Sequence, residues 1–187
     1  MILKPDKVWR TLNHRDALPV RLGDAFRVEA GLSRPAYLYV IWVTADGEAF
    51  PIYPWEPGKW RTRPAVERPT ATVGVPPADS KNPAYELLPG SAGVETLLMF
   101  ARDTPLAVSD AEIEGWLKAD PPAAGAGLPA EAVWLVNGET GRGTRGNPFE
   151  KRVAVDSPVL RVQAVVRRHL QPHAVFTAGV CFPRRAD

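Results

Sequence analysis

Few residues of this chain have types and spacing that suggest chemistry, and the glycine-rich stretch at 138–148 is the most suggestive. Residues 141–146 read G-x-G-x-x-G. In nucleotide-binding folds such glycines let a phosphate approach the backbone at the start of a helix. Here Asn147 and Pro148 follow instead of a helical pattern, and no acidic residue lies about 20 residues further on. The loop is therefore only an alternative site for a small molecule or nucleotide, formed by Gly141, Arg142, Gly143 and Arg145.

Two histidines and the single cysteine are the other candidates for chemistry. His169 and His173 have a spacing that could place two imidazoles on one helix face for zinc, but Pro172 between them predicts that the helix ends first. Cys181 would need an exposed, electropositive setting to act as a nucleophile. The alternating pattern around it predicts a strand in which the thiol is buried. We therefore predict no catalytic residue, no metal site and no cofactor, and interpret the protein as non-enzymatic.

An aromatic and basic cluster in a proline-rich segment is the strongest candidate for a binding surface. Tryptophan, tyrosine and arginine dominate the hot spots of protein interfaces. Tryptophans just beyond a strand, among prolines, are poorly placed for a deep core. The alternative is that the segment folds back over an open face of the sheet and buries these rings as a lid. The cluster consists of Tyr53, Trp55, Trp60, Arg61 and Arg63.

The composition of the chain is that of a globular protein, and it also indicates the cellular compartment. The chain has 187 residues, of which 45% are hydrophobic and 24% charged, enough for one sizeable core. A single cysteine fits a reducing compartment. The charged start lacks the apolar stretch of a secretory signal, and the longest apolar run, Ala36–Val43, is far short of the roughly 20 residues of a membrane helix. We therefore expect a cytoplasmic protein that does not contact a membrane.

The C-terminal third is mildly basic, with 9 lysines and arginines against 5 acidic residues in 121–187. A nucleic-acid-binding surface needs a denser basic stripe that is interleaved with stacking aromatics. We therefore do not expect a nucleic-acid partner.

Strand patterns dominate the first two thirds of the sequence. The stretch from Pro19 to Ala30 alternates apolar and polar residues, which predicts a half-buried strand with a bulge at Gly23. The run at 36–44 lacks polar breaks and predicts a central strand buried on both faces. An Asp-Gly turn then predicts a hairpin. Further strands are predicted near Thr70–Val75, Tyr85–Leu88, Gly93–Asp103 and 174–182.

Two helices complete the predicted elements. Ser109 lies three residues before Glu112, a capping-box spacing that predicts a helix over Asp110–Lys118. Pro158 and an apolar periodicity predict a second helix that ends at Pro172. Many short strands and only two helices indicate a mainly β (α+β) fold, an antiparallel β-sandwich or open barrel decorated by two short helices. We expect one β-rich domain over 1–187, with a C-terminal helix and strand extension at 121–187.

Residues 18–108 resemble a bacterial domain-of-unknown-function family found on the C-terminal side of Ser/Thr protein kinases and caspase-like peptidases. In that family a Gly-Asp strand precedes a Tyr-Leu-Tyr strand, an Asp-Gly-Glu turn leads to a strand that ends in proline, and a Gly-x-Glu strand follows. Pro54-Trp55 departs from the Pro-Asn-like turn that is more usual there. The matching residues are Gly23-Asp24, Tyr37-Leu38-Tyr39, Asp46-Gly47-Glu48, Pro54 and Gly93-Val94-Glu95.

The resemblance implies a β-rich accessory or sensing module without catalytic residues, and residues 18–108 would be its β core. We therefore expect a protein-interaction or sensing module in a bacterial signalling or defence-type pathway, with a kinase or caspase-like peptidase as its partner. The alternative is a small-molecule or nucleotide sensor that uses the basic loop at 138–148.

Overall fold

The computed structural model describes residues 1–118 and 158–186, which form nine β-strands and two α-helices. A short 3-10 turn at Gln171–His173 follows the second helix. The two sheets are antiparallel and open, so the predicted fold class is confirmed. The strands are β1 (Ile2–Leu3), β2 (Trp9–Arg10), β3 (Ala25–Phe26), β4 (Val28–Val43), β5 (Ala49–Tyr53), β6 (Thr70–Val75), β7 (Tyr85–Glu86), β8 (Gly93–Arg102) and β9 (Phe176–Arg184), and the helices are α1 (Asp110–Lys118) and α2 (Pro158–His169).

The strands divide into a small and a large sheet. The small sheet has the order β2-β1-β3-β7, and each of its strands has two residues. The large sheet has the order β5-β4-β8-β9, and β6 pairs with the first half of β4. Strand β9, from the C-terminal part of the chain, pairs with β8 along its whole length. The C-terminal strand is therefore an integral part of the large sheet.

Strand β4 organises the fold because it contributes to both cores. Its second half is rich in β-branched and aromatic residues, which suit a pleated, buried surface. Since side chains alternate between the two faces of a strand, Leu38, Val40 and Trp42 pack between the two sheets. Residues 39, 41 and 43 face the helices. All six are at most 4% exposed, so the predicted central strand buried on both faces is confirmed.

The core between the sheets, here called the sheet core, joins the small sheet to the large one. Phe26 of β3 meets Trp42 of β4 edge to face, with ring centroids 4.9 Å apart. The helix core lies on the other face of the large sheet, where Ile113 of α1 and Val166 of α2 pack against Tyr39 and its neighbours. The molecule is thus layered as small sheet, large sheet and helices.

Helix α1 begins where its capping signal predicts, and it covers the predicted range Asp110–Lys118. The hydroxyl of Ser109 accepts a hydrogen bond from the Glu112 amide at 3.2 Å, and the Glu112 carboxylate accepts one from the Ser109 amide at 3.0 Å. This reciprocal capping box satisfies two amides that the first helical turn leaves unpaired. Helix α2 ends at His169, three residues before the predicted end at Pro172. Proline cannot continue a helix, so the chain forms the short turn there.

The predicted strand from Pro19 to Ala30 is wrong in its first part. Residues 19–24 form no strand except for a single bridge between Val20 and Arg184. Gly23 has a φ of +87°, a conformation that turns the chain and that glycine adopts without strain. Strand pairing therefore starts only at Ala25, where β3 joins the small sheet.

Candidate functional site

The tryptophan segment, defined as residues 54–67, lies against the helix core. Trp55 is 3% exposed and packs between Tyr39, at a ring distance of 5.9 Å, and Trp60, at 5.3 Å. Trp55 therefore has the position that the lid alternative predicts. Its ring is buried against the helix core and is not accessible to a partner. Trp60 is half-buried, and the Arg61 side chain is 69% exposed. A binding role for Trp60 and Arg61 stays a prediction.

Arg63 links the tryptophan segment to the start of α1 through an ion pair and hydrogen bonds. Its side chain is 13% exposed, and its guanidinium lies 3.0 Å from the Asp110 carboxylate. It also donates to the carbonyls of Leu106 at 3.2 Å and Val108 at 2.7 Å. Hydrogen bonds that involve a charged group are about twice as strong as neutral ones. Because its donors are occupied in this way, Arg63 stabilises the lid and is poorly placed to contact a partner.

Tyr39 adds a second link between the same elements. Its hydroxyl donates to the Glu67 carboxylate and accepts a hydrogen bond from the Leu106 amide at 2.7 Å. Burial and the hydrogen bond to Glu67 raise the pKa of Tyr39 above its usual range. Tyr53, by contrast, packs against the sheet core on the other side of the large sheet. The structure thus brings together Trp55, Trp60, Arg61 and Arg63 and separates Tyr53 from them.

A groove of about 990 Å³ over the small sheet is a second candidate site, and the sequence interpretation missed it. The strand register places Leu3, Ala25 and Glu86 side by side on the face of the sheet away from the sheet core. Further apolar residues close the groove from neighbouring loops, and Leu22 among them is 48% exposed. These flanking apolar residues are Leu22, Pro57, Pro76 and Pro83.

Three lysines line the groove, against one glutamate. The ammonium group of Lys4 lies 2.7 Å from the fully buried Asp24 carboxylate, which compensates its charge. In the part of the chain that the structure describes, no ion pair joins Lys7 or Lys81 to an acidic side chain. Glu86 contributes the negative charge. The groove therefore combines apolar lining with a weakly positive rim.

One edge of the small sheet borders the groove. Among the described residues, β7 pairs only with β3. The Leu87 amide donates to the Asp24 carbonyl at 3.1 Å, so Leu87 directs its backbone groups towards β3. Because hydrogen-bonding direction alternates along a strand, the backbone N–H and C=O of Glu86 point to the other side. The edge thus offers backbone hydrogen-bonding groups beside an apolar groove.

Tyr85 places an unusual polar group next to the groove. Its hydroxyl is buried and has no hydrogen-bond partner among residues 1–118 and 158–186. Burial raises the pKa of Tyr85 to about 12. A buried hydroxyl without a partner costs about 1–3 kcal/mol.

Cys181 is buried, as its sequence pattern predicts. It is 5% exposed, and the Thr96 hydroxyl and the Gln163 amide lie 3.4 and 3.6 Å from its sulfur. Burial raises the pKa of the thiol to about 11, against the opposing effect of these two hydrogen bonds. At neutral pH the thiol is therefore protonated and a poor nucleophile.

We expect native Cys181 to react with a thiol reagent at neutral pH at least about a hundred times more slowly than the same cysteine in the unfolded chain. The rise of its pKa to about 11 alone lowers the thiolate fraction by that factor. Stopped-flow absorbance with a chromogenic disulfide, with and without denaturant, measures both rates. Similar rates in the two conditions would restore Cys181 as a candidate nucleophile.

The two histidines do not lie together on one helix. His169 ends α2 and stacks on Trp116 at a ring distance of 4.6 Å, whereas His173 lies in the following turn. No group of three or more potential metal-ligating side chains occurs in residues 1–118 or 158–186. The loop residues Gly141, Arg142, Gly143 and Arg145 lie outside these ranges.

No protein-family model, curated protein or solved structure matches this chain. In the described ranges, neither helix is long and apolar enough to cross a membrane. The site must therefore be interpreted from its own geometry.

Proposed function

We propose that this chain is a non-enzymatic interaction or sensing module in a bacterial signalling or defence-type pathway, and that it binds an extended, acidic segment of a protein partner. The observation that carries the proposal is the groove over the small sheet. It has the size of a ligand site, and its lining is mainly apolar with a few polar groups.

An extended segment suits the groove because it borders the edge of β7. The outward backbone groups of Glu86 can pair with a partner strand, as in β-strand addition, where backbone hydrogen bonds supply affinity and side-chain pockets supply specificity. Leu22 and the prolines beside it provide the apolar contacts for every second side chain of such a strand.

An acidic segment suits the rim of the groove. Lys7 and Lys81 carry charges that no acidic side chain compensates in the described residues. Charges at the rim of an interface mainly guide association and select among partners, while the apolar centre supplies affinity. We therefore place acidic residues of the partner beside these two lysines.

The resemblance of residues 18–108 to modules beside Ser/Thr protein kinases and caspase-like peptidases supports a partner of one of these two classes. The protonated, buried thiol of Cys181 supports a non-enzymatic role, since the one cysteine is not activated. The second candidate, a small-molecule or nucleotide sensor that uses 138–148, stays a prediction from the sequence.

We expect the double substitution Lys7→Glu with Lys81→Glu to weaken partner binding about tenfold or more, because two attractive rim charges become repulsive. The partner is captured from native lysate, its bound segment is mapped by crosslinking, and the affinity for the synthetic segment is measured by fluorescence anisotropy. The matched control is Arg34→Glu with Arg68→Glu, at two exposed cations outside both the groove and the tryptophan segment.

Equal binding by the groove variant and the wild type would reject the groove as the partner site. Crosslinks that map to Trp60 and Arg61 instead would transfer the interface to the tryptophan segment. A captured segment that is basic rather than acidic would reject the charge argument.

A further inference from the structure

A second cavity, here called the basic cavity, has a volume of about 500 Å³, lies beside the groove and is lined by five basic side chains among its ten residues. It is formed by the loop that joins β1 to β2, by the segment before β3 and by the residue that follows β9. Its acidic lining residues are Asp6 and Asp16. Its basic residues are Lys4, Arg10, Arg15, Arg21 and Arg185.

Three of the five cations of the cavity have acidic partners. Lys4 pairs with the buried Asp24 at 2.7 Å, and Arg15 lies 3.6 Å from Asp16. Arg10 forms two hydrogen bonds to Asp6, which hold the pKa of that carboxyl at about 2. All acidic groups in and directly behind the cavity are thereby engaged.

Arg21 and Arg185 are the two remaining cations. In the described ranges, neither has an acidic side chain within ion-pair distance, and both are exposed. The cavity therefore has a local excess of two positive charges.

Backbone pairing holds these two arginines next to each other. Val20 and Arg184 form a parallel bridge. The Val20 amide donates to the Pro183 carbonyl at 2.8 Å, and the Arg185 amide donates to the Val20 carbonyl at 2.9 Å. Val20 and Arg184 are buried, at 0% and 4% exposed. Arg21 and Arg185 directly follow these two buried residues in the chain, and both are exposed and line the cavity. Two like charges that line one cavity repel each other, and an anion bound between them removes the repulsion.

We propose that this cavity binds a small phosphate-bearing molecule with at least two negative charges. The guanidinium fork matches phosphate oxygens in a bidentate geometry, and two adjacent forks match a diphosphate or a phosphate dianion. The volume of about 500 Å³ lies within the range of small-molecule sites and exceeds what a single phosphate needs. The remainder of the cavity therefore accommodates the organic part of the ligand.

This site goes beyond the proposed partner groove and can be tested apart from it. The two cavities share Lys4. Arg21 and Arg185 line only the basic cavity. Lys7 and Lys81 line only the groove. Substitutions in one cavity therefore leave the uncompensated charges of the other in place.

The test measures binding of inorganic pyrophosphate and ATP by isothermal titration calorimetry, with adenosine as the uncharged probe and ionic strength held constant. We expect pyrophosphate and ATP to bind and adenosine not to bind. The double substitution Arg21→Gln with Arg185→Gln should weaken binding about a hundredfold, because each of the two lost charge-assisted contacts accounts for about tenfold. Arg21→Lys with Arg185→Lys should give an intermediate loss, since the charge remains and the fork is lost.

The matched control is Arg34→Gln with Arg68→Gln, which removes two exposed arginines elsewhere and should leave binding unchanged. Unliganded melting temperatures verify that the exposed substitutions leave the fold intact. Absence of binding by both phosphate probes would overturn the proposal. So would unchanged affinity in the Gln variant, or binding that is confined to a phosphoserine peptide, which would indicate a macromolecular ligand instead.

Discussion

Trp55→Ala is expected to lower the free energy of unfolding by about 3–5 kcal/mol, the range for removing a large buried aromatic side chain. Trp55 is 3% exposed and contacts the rings of Tyr39 and Trp60 on the helix core. The substitution removes this apolar area and leaves a cavity that the strand and helix on either side cannot fully close. Trp60→Ala should cost only about 1–2 kcal/mol, because its ring is half-buried and less apolar area is lost.

Urea denaturation followed by circular dichroism measures both losses, with Trp55→Phe as the control that keeps a ring in the same place. We expect Trp55→Phe to cost about 1.5 kcal/mol or less, since most of the cavity stays filled. Equal, small losses for Trp55→Ala and Trp60→Ala would contradict the lid and support a surface role for both rings.

The same comparison decides how any loss of partner binding is interpreted. A Trp55 variant that loses its partner and also unfolds says nothing about an interface, because the lid and α1 are both disturbed. A Trp60 or Arg61 variant that stays folded tests the tryptophan segment as a surface. Binding experiments on this segment are therefore informative only at its exposed residues.

Local signals predict the long elements well. The capping box at Ser109 and Glu112 is complete within four residues, so the start of α1 can be inferred from the sequence and is observed. The unbroken apolar run that ends at Val43 likewise predicts a strand covered on both faces. Such elements are predictable because neighbouring residues determine them.

The small sheet and its groove could not be predicted in this way. Although β3 and β7 lie within predicted strands, each strand of that sheet has only two residues, and β1 and β2 are too short to show an alternating pattern. Leu3, Ala25 and Glu86 are far apart in the sequence and become neighbours only through the strand register. The basic cavity has the same origin, since the pairing of Val20 with Arg184 joins positions from the two ends of the chain. Both sites are products of tertiary structure.

The second large effect concerns a buried ion pair between β8 and β9. Arg184, at 4% exposed, lies 3.1 Å from the Glu95 carboxylate, which is fully buried. Glu95 also accepts a hydrogen bond from the Trp42 indole at 2.7 Å, and Arg184 donates to the Leu88 carbonyl. Arg184→Met is expected to lower the free energy of unfolding by about 3–5 kcal/mol, because it leaves a buried carboxylate without its partner.

Removing both charges should be less harmful than removing one. In the double variant Glu95→Gln with Arg184→Met, the amide that replaces the carboxylate keeps an oxygen for the Trp42 indole, and no charge remains buried. We expect it to be more stable than Arg184→Met alone by about 1 kcal/mol or more, within the range that double-mutant cycles give for residues in contact. A double variant that is less stable than Arg184→Met would show that the cost comes from lost packing of the arginine.

The pH dependence separates charge from packing in the single variant. Burial raises the pKa of Glu95 above its usual range even with Arg184 present, and loss of the arginine should raise it further. A carboxyl whose pKa is higher in the folded than in the unfolded state binds its proton more readily when folded, so stability increases as the pH falls through that window. The loss of unfolding free energy in Arg184→Met, relative to the wild type, should therefore become smaller between pH 7 and pH 5. The double variant has no carboxyl at position 95, so its loss should not become smaller over this range. A deficit that is constant over this range would mean that Glu95 stays ionised without its partner and that water reaches the site.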